Sequence, residues 1–312
     1  MAEVWIMGEM IVEIMREKED VSLDVEGTFR GPYPSGAPTI FIDTVARLGH
    51  SAGIIGGVGN DDFGKNLLDR MQKDGVNISQ VIKSDEKSTG VAFVTYFSDG
   101  SRKFIFHMGN TPAVEAKMPA EDIFDGIKYF HIMGCSLMAS KAFAKEIVKT
   151  MKLAIRRGAK ISFDPNIRKE LLQDDSVNQV VAEVVKHTNI FMPGVEELLS
   201  ITGKKDVKEA ILQCFENEKL EILTLKNGSQ GCTVYTRGET LQVGVYPIIQ
   251  KDATGAGDSF DGAFISGLLE GKSLLDTTKM AAAAGALNAA EFGPMEGKIN
   301  QETIQRIINE NA

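Results

Sequence analysis

The 312-residue chain is 43% hydrophobic and 25% charged, ordinary for a globular protein, which excludes collagen-like, low-complexity and disordered classes. Acidic side chains outnumber basic ones 43 to 34, a formal charge of −9 that repels nucleic acid and anionic membranes, so an anionic substrate needs a locally basic or amide-lined pocket. No apolar run nears the ~18 residues of a bilayer span, and the opening MAEVWIMGEM has no basic n-region, so a cytoplasmic protein without membrane contact is expected.

The three cysteines, Cys135, Cys214 and Cys232, stand far apart and are odd in number, which points to reduced, packed thiols rather than disulfides or a zinc cage. The four histidines, His50, His107, His131 and His187, have no ligand spacing, so no protein-only metal site is expected.

Strand-like and helix-like runs alternate along the chain. Residues 3–15, EVWIMGEMIVEIM, open as a strand. The runs 51–59, 126–134, 158–166, 188–194 and 220–228 read as further short apolar strands. Between them 41–49, 62–75, 141–158 and 177–188 repeat apolar residues at three- and four-residue steps, several ending at glycine. This alternation predicts a parallel sheet with crossover helices, an α/β fold in one domain over 1–312. Residues 88–108 break the rhythm: two strands flank Ser98-Asp99-Gly100-Ser101, a hairpin signal. Such a hairpin does not fit among βα units, so it belongs to a separate small sheet, with about 13–33 supplying further strands. That sheet is either a lid over a site or a surface hairpin without function.

The most informative stretch is Asp252-Ala253-Thr254-Gly255-Ala256-Gly257-Asp258-Ser259-Phe260. Small residues at 255–257 let backbone N–H groups approach a ligand, and Phe260, Ala263, Phe264, Leu268 and Leu269 give the following segment a buried helical face. A tight turn feeding a helix N-terminus binds anions, because unpaired N–H groups and the positive end of the dipole point outward together. Asp258 is then either a proton acceptor beside a phosphate or simply a helix cap. Two nearby patterns mislead. Gly271-Lys272-Ser273 lacks the P-loop's leading glycine, since position 266 is Ser266. Gly257-Asp258-Ser259 resembles an esterase motif, but the last histidine is His187, so a hydrolase triad has no base.

Residues 252–264, DATGAGDSFDGAF, resemble the C-terminal signature of the ribokinase-like (PfkB) carbohydrate kinases, and Gly56-Gly57-Val58-Gly59-Asn60-Asp61-Asp62-Phe63-Gly64 resembles their N-terminal one. Ser35-Gly36-Ala37-Pro38, Asp164-Pro165-Asn166-Ile167-Arg168 and Thr224 to Gly231 are also similar to family members. The resemblance covers essentially the whole chain. It implies a doubly wound α/β domain, a β-sheet lid, and transfer of the ATP γ-phosphoryl group to a sugar hydroxyl.

Under that resemblance Asp258 is the base, and the amides of Gly255, Ala256 and Gly257 form the anion hole. Arg168 is a candidate for the transferring phosphate or a substrate oxygen. Glu13, Ser35, Gly36, Ala37, Pro38, Gly57, Phe106, His107, Asn166 and Asp252 are candidate sugar ligands. Asn166, Thr224, Lys226, Gly228, Gly231, Ala284 and Asn288 are candidates for the nucleotide, with helix 280–290 leaving room for adenine. Mg²⁺ is expected mainly through ATP and water, with Glu197 nearby although the family's N-x-x-E asparagine is replaced by Gly194. The resemblance also suggests K⁺ near Asp252 and Thr254.

Aromatic bulk at Phe93, Tyr96, Phe104 and Phe106 on a small sheet predicts a homodimer through the lid. Ala92 and His107 stand where kinases of 2-keto-3-deoxygluconate carry a tyrosine and an arginine, and Glu13 and Ile40 replace an aspartate and an asparagine. A neutral ketohexose of the fructose or tagatose kind is therefore expected, with 2-keto-3-deoxygluconate or ribose as alternatives. A catalytically silent sugar-binding regulator is the rival of another class.

Overall fold

A computed structural model describes residues 2–98, 101–167 and 176–311. Their central element is a nine-stranded sheet built from β1 (Val4–Met7), β4 (Ala52–Gly59), β5 (Asn77–Ser84), β8 (Tyr129–Met133), β9 (Lys160–Asp164), β10 (Ile190–Phe191), β11 (Ile222–Lys226), β12 (Cys232–Tyr235) and β13 (Thr240–Val243). The order is β13-β12-β11-β10-β9-β8-β1-β4-β5; the strands run parallel from β5 to β11, and β12 and β13 close one edge antiparallel. The sheet is buried on both faces, as the period of β1 shows. Val4 and Ile6 enter one hydrophobic cluster and Trp5 and Met7 the other. Helices α1 (Ala37–Arg47), α2 (Asp62–Lys73), α8 (Ala256–Leu269), α9 (Leu274–Ala289) and α10 (Gln301–Glu310) contribute to the first cluster. Helices α3 (Gly134–Ala139), α4 (Lys141–Arg156), α5 (Ser176–Val185), α6 (Val195–Thr202) and α7 (Val207–Cys214) contribute to the second. Strand order turns back at β1, between β4 and β8, and α/β sheets hold ligands in the crevice beyond such a point.

The run 3–15 is two strands rather than one. After β1 the chain crosses from the main sheet into a four-stranded one, order β3-β2-β6-β7, made of β2 (Ile11–Arg16), β3 (Phe29–Ser35), β6 (Gly90–Tyr96) and β7 (Arg102–His107). Gly8 makes the crossing possible: a Cβ there would lie 2.2 Å from Pro38 Cγ. The small sheet is formed by the two segments expected to make a lid, with Asp99 and Gly100 of its hairpin outside the described residues. Asp61 pins its root, capping α2 through Gly64 N (2.8 Å) and accepting from Thr89 N (2.8 Å) and Thr89 Oγ1 (2.6 Å), one residue before β6.

Strand alternation gives the lid two unlike faces. Glu13, Ala92 and Phe106 share one row, and Arg102, Phe104 and Phe106 of β7 line the cavity below. Ile105 and His107 of β7 fall on the opposite face, where the His107 ring meets the edge of Phe93, centroids 6.0 Å apart.

Candidate active site

A cavity of about 220 Å³ lies where the small sheet meets the head of α8. Gly36, Ala37 and Ile40 from the start of α1, Phe104 and Phe106 from β7, and the start of α8 form its walls. The two phenylalanine rings stack with centroids 5.4 Å apart, an apolar floor for a sugar's C–H face.

At the head of α8, Gly255 adopts φ 77°, and a Cβ on it would meet Pro294 O at 2.3 Å. Only glycine allows this left-handed turn so close to backbone. The Ala256 N–H donates to Ala253 O at 3.3 Å, so of the three expected amides it is the one turned into the loop. Gly255 and Gly257 line the cavity, and first-turn N–H groups have no partner four residues back. Asp258 sits in that first turn, 6% exposed and on the cavity wall. Asn166 Nδ2 donates to Asp258 Oδ1 at 2.9 Å, and Asn166 N donates to Asp164 Oδ1 at 3.1 Å. Asn166, at φ 38°, thus fixes the carboxylate's orientation. Arg168 lies outside the described residues.

Glu13 and Glu9 bring two further carboxylates to the cavity. Ser35 Oγ donates to Glu13 Oε1 at 2.7 Å, while Cys135 Sγ and Ser136 Oγ donate to Glu9 at 3.1 and 2.5 Å. Ser35 therefore acts through Glu13, and Pro38 packs against Gly8. Gly57 is not on the wall, because it is pressed against Pro112, whose carbonyl oxygen would lie 2.3 Å from a Cβ. His107 is not on the cavity wall either, since its place in β7 turns it to the opposite face of the small sheet.

Asp252 and Thr254 form a latch to the lid. Asp252 accepts from Thr254 N (2.9 Å), Gly293 N (3.1 Å) and the Tyr96 hydroxyl (3.3 Å). The Tyr96 hydroxyl also lies 3.0 Å from Thr254 Oγ1, and Arg102 donates to that oxygen at 3.2 Å. Burial raises the Tyr96 hydroxyl far above its ordinary value, so it stays a donor at physiological pH. Sequence reasoning missed Glu9, Tyr96 and Arg102 as site residues. Arg102 was findable, because its spacing of two and four residues from Phe104 and Phe106 on one strand puts all three on one face.

A second cavity, about 510 Å³, adjoins the first and is lined by Gly228, Gly231, Ala256, Gly257 and Phe260. Ala282, Gly285, Ala286 and Ala289 of α9 form its opposite wall, and their helical spacing presents one small-residue face. Ala284 and Asn288 are not on that face. Ala284 is fully buried, and Asn288 Nδ2 donates to Thr254 O and Pro294 O at 2.8 and 3.1 Å, clamping the loop that carries Gly255. Thr224 is likewise fully buried within β11.

Lys226 lines both cavities, paired with Asp164 at 2.8 Å and Asp261 at 3.1 Å. Glu197 also lines the first cavity, accepting from Gly194 N (2.8 Å) and Ile167 N (2.7 Å). Burial, with the charge of Asp164 adding to it, raises the Glu197 carboxyl above its ordinary value.

A small cavity of mixed polar and apolar lining meeting a larger, mainly apolar groove at a helix N-terminus is suited to phosphoryl transfer between a polyol and a nucleotide. The family model for pfkB family carbohydrate kinases matches residues 1–301. A putative ribokinase II of E. coli, solved with ATP and Mg²⁺, is 38% identical with a TM-score of 0.93, covering 99% of this chain and 100% of its own. The probable fructokinase-3 of Arabidopsis thaliana is 33% identical over 92% of this chain and 85% of its own, and the probable fructokinase-4 of that plant is 29% identical over 97% and 96%. From end to end, in signatures, lid and paired cavities, this chain belongs to the pfkB family of carbohydrate kinases, enzymes that move the γ-phosphoryl group of ATP to a sugar hydroxyl.

Proposed function

We propose that this kinase phosphorylates a neutral ketohexose of the fructose kind. The observation that carries the reading is the wall of the sugar cavity, where Glu9, Glu13 and Asp258 set three carboxylates around the Phe104–Phe106 floor. Carboxylates accept hydrogen bonds from sugar hydroxyls and repel an acid sugar. The fructokinase names of the plant relatives agree with it.

ATP occupies the groove with adenine against the Ala282–Ala289 face and its phosphates toward Gly255 and Gly257. Asp258, oriented by Asn166, takes the proton of the attacking hydroxyl, and the amides of Gly255 and Gly257 stabilise the transferring phosphoryl charge. The donor set fits Mg²⁺ carried by ATP rather than caged by protein. Among the described residues no group of three or more His, Cys, Asp or Glu side chains could hold a metal, and Glu197 already accepts two backbone N–H bonds. Glu197 would hold Mg²⁺ through water, and the ion would supply positive charge against the ATP phosphates. Asp252 and Thr254 would be the residues beside a K⁺, which would add positive charge next to the anion hole. The buried free cysteines suit the reducing cytoplasm.

A second reading rests on Arg102. The lid does place a tyrosine and an arginine by the site, at positions 96 and 102 rather than 92 and 107, so the acid sugar 2-keto-3-deoxygluconate remains the competitor. Comparing kcat/KM for fructose, tagatose, ribose and 2-keto-3-deoxygluconate with ATP and Mg²⁺ decides between them. Fructose or tagatose should lead. A lead of more than about tenfold for the acid sugar, roughly 1.4 kcal/mol of transition-state binding, would make Arg102 its carboxylate anchor and overturn the ketohexose reading.

The outer lid face is the proposed dimer contact. Phe29 and Ile105 on it are 40% and 42% exposed, beside Phe93 and His107. Two such faces stacked would cover this apolar surface. Sedimentation at micromolar concentration should give a dimer, and Ile105→Asp should shift it to monomer; a wild-type monomer would remove the dimer from consideration.

A further inference from the structure

Lys226 stands apart from the other charged groups of the site, because among the described charged residues it alone borders both cavities while its ammonium is held from behind. It ends β11, and Nζ donates to Asp164 Oδ2 at 2.8 Å and to Asp261 at 3.1 and 3.2 Å. An ammonium has three N–H donors; one goes to Asp164, and the two Asp261 oxygens, at near-equal distances on one carboxyl group, share a second. Nζ also lies 3.8 Å from where a Cβ of Gly257 would be, directly before the first turn of α8. Asp258 and Asp261 project from that helix three residues apart, one to the sugar cavity and the other to the lysine.

The carboxylates keep this charge fixed. Burial alone would strip the proton from Lys226, but the charges of Asp164 and Asp261 outweigh it and raise the ammonium above its ordinary value. Burial raises the Asp261 carboxyl well above its usual range, with a hydrogen bond to Asp164 adding to the effect. Against its own burial, Asp164 is held below the usual range by Lys226. The two carboxyl groups and the ammonium thus form a buried cluster of fixed geometry, unlike a flexible surface lysine whose ordering would cost side-chain entropy.

We propose that Lys226 presents its third N–H to the phosphoryl group in flight between the two cavities, and that Asp164 and Asp261 are the positioning residues that aim it. The ammonium then faces the same phosphoryl oxygens as the Gly255 and Gly257 amides, from the side of the strand rather than of the helix. Its contribution grows as charge accumulates on those oxygens, and the role does not depend on which sugar accepts them.

Calorimetry on the full chain with Mg²⁺ tests this through Lys226→Met. Binding of the β,γ-imido analogue of ATP should weaken at least tenfold, while binding of ADP changes less than threefold. With the fastest sugar of the panel above, kcat should fall about 100-fold. Equal weakening toward both nucleotides, or kcat within threefold of wild type, would overturn the proposal. Removing the ammonium leaves two buried carboxyl groups uncompensated and can cost the fold, so a second measurement needs no variant. In a crystal structure of the wild-type protein with the imido analogue and Mg²⁺, Nζ should lie within about 3.3 Å of a γ-phosphate oxygen; a distance beyond about 4.5 Å from all of them would overturn it.

Discussion

Asp258→Asn is expected to lower kcat about 10³-fold, within the range for loss of a positioned general base, with ATP affinity unchanged within about threefold. Asparagine keeps the shape, and its carbonyl oxygen can still accept from Asn166 Nδ2, which now holds Asp258 at 2.9 Å. What it cannot do is take a proton. The buried setting, 6% exposed, leaves little water to substitute for it. Steady-state kinetics with titrated ATP separate the two effects. Turnover within threefold of wild type would show that Asp258 only caps α8.

Gly255→Ala is expected to damage activity and stability together. Its φ of 77° is unfavourable for alanine, and the new Cβ would meet Pro294 O at 2.3 Å, so the turn must shift and carry the amides of 255 and 257 with it. Backbone strain of this kind costs about 1–3 kcal/mol, and a displaced anion hole costs roughly 10²-fold or more in kcat. Gly271→Ala is the matched control: φ is 66°, and nothing lies within 4 Å of the added Cβ. It should lower Tm slightly and leave kcat intact. If Gly255→Ala behaves like Gly271→Ala, the close approach at residue 255 is not what shapes the anion hole.

Much of the fold could be read from local pattern, because a parallel strand buried on both faces is a short apolar run and its crossover helix repeats every 3.6 residues. The helix N-terminus at Gly255 was legible from its small residues. The break within 3–15 was not, since it depends on Gly8 lying against Pro38, a contact between segments rather than a local preference. The antiparallel strands β12 and β13 were missed for a related reason: CTVY and TLQV are short and half-exposed and owe their state to pairing, β12 with β11 and β13 with β12. In the site, residue type suggested ligands that position within the fold reassigns. Asn288 clamps the Thr254 loop, and His107 faces away by strand parity while Arg102 faces in. The acid cluster around Lys226 assembles from three segments far apart in sequence, which no local motif encodes.

The most direct measurement of the central claim follows the phosphorus itself. With ATP, Mg²⁺ and fructose, ³¹P NMR should show the γ resonance of ATP giving way to one sugar phosphomonoester, with one ADP formed per phosphomonoester, and the same mixture with Asp258→Asn should stay nearly unchanged over that time. ADP accumulating with inorganic phosphate in place of a sugar ester, or no loss of ATP with any sugar of the panel, would contradict it.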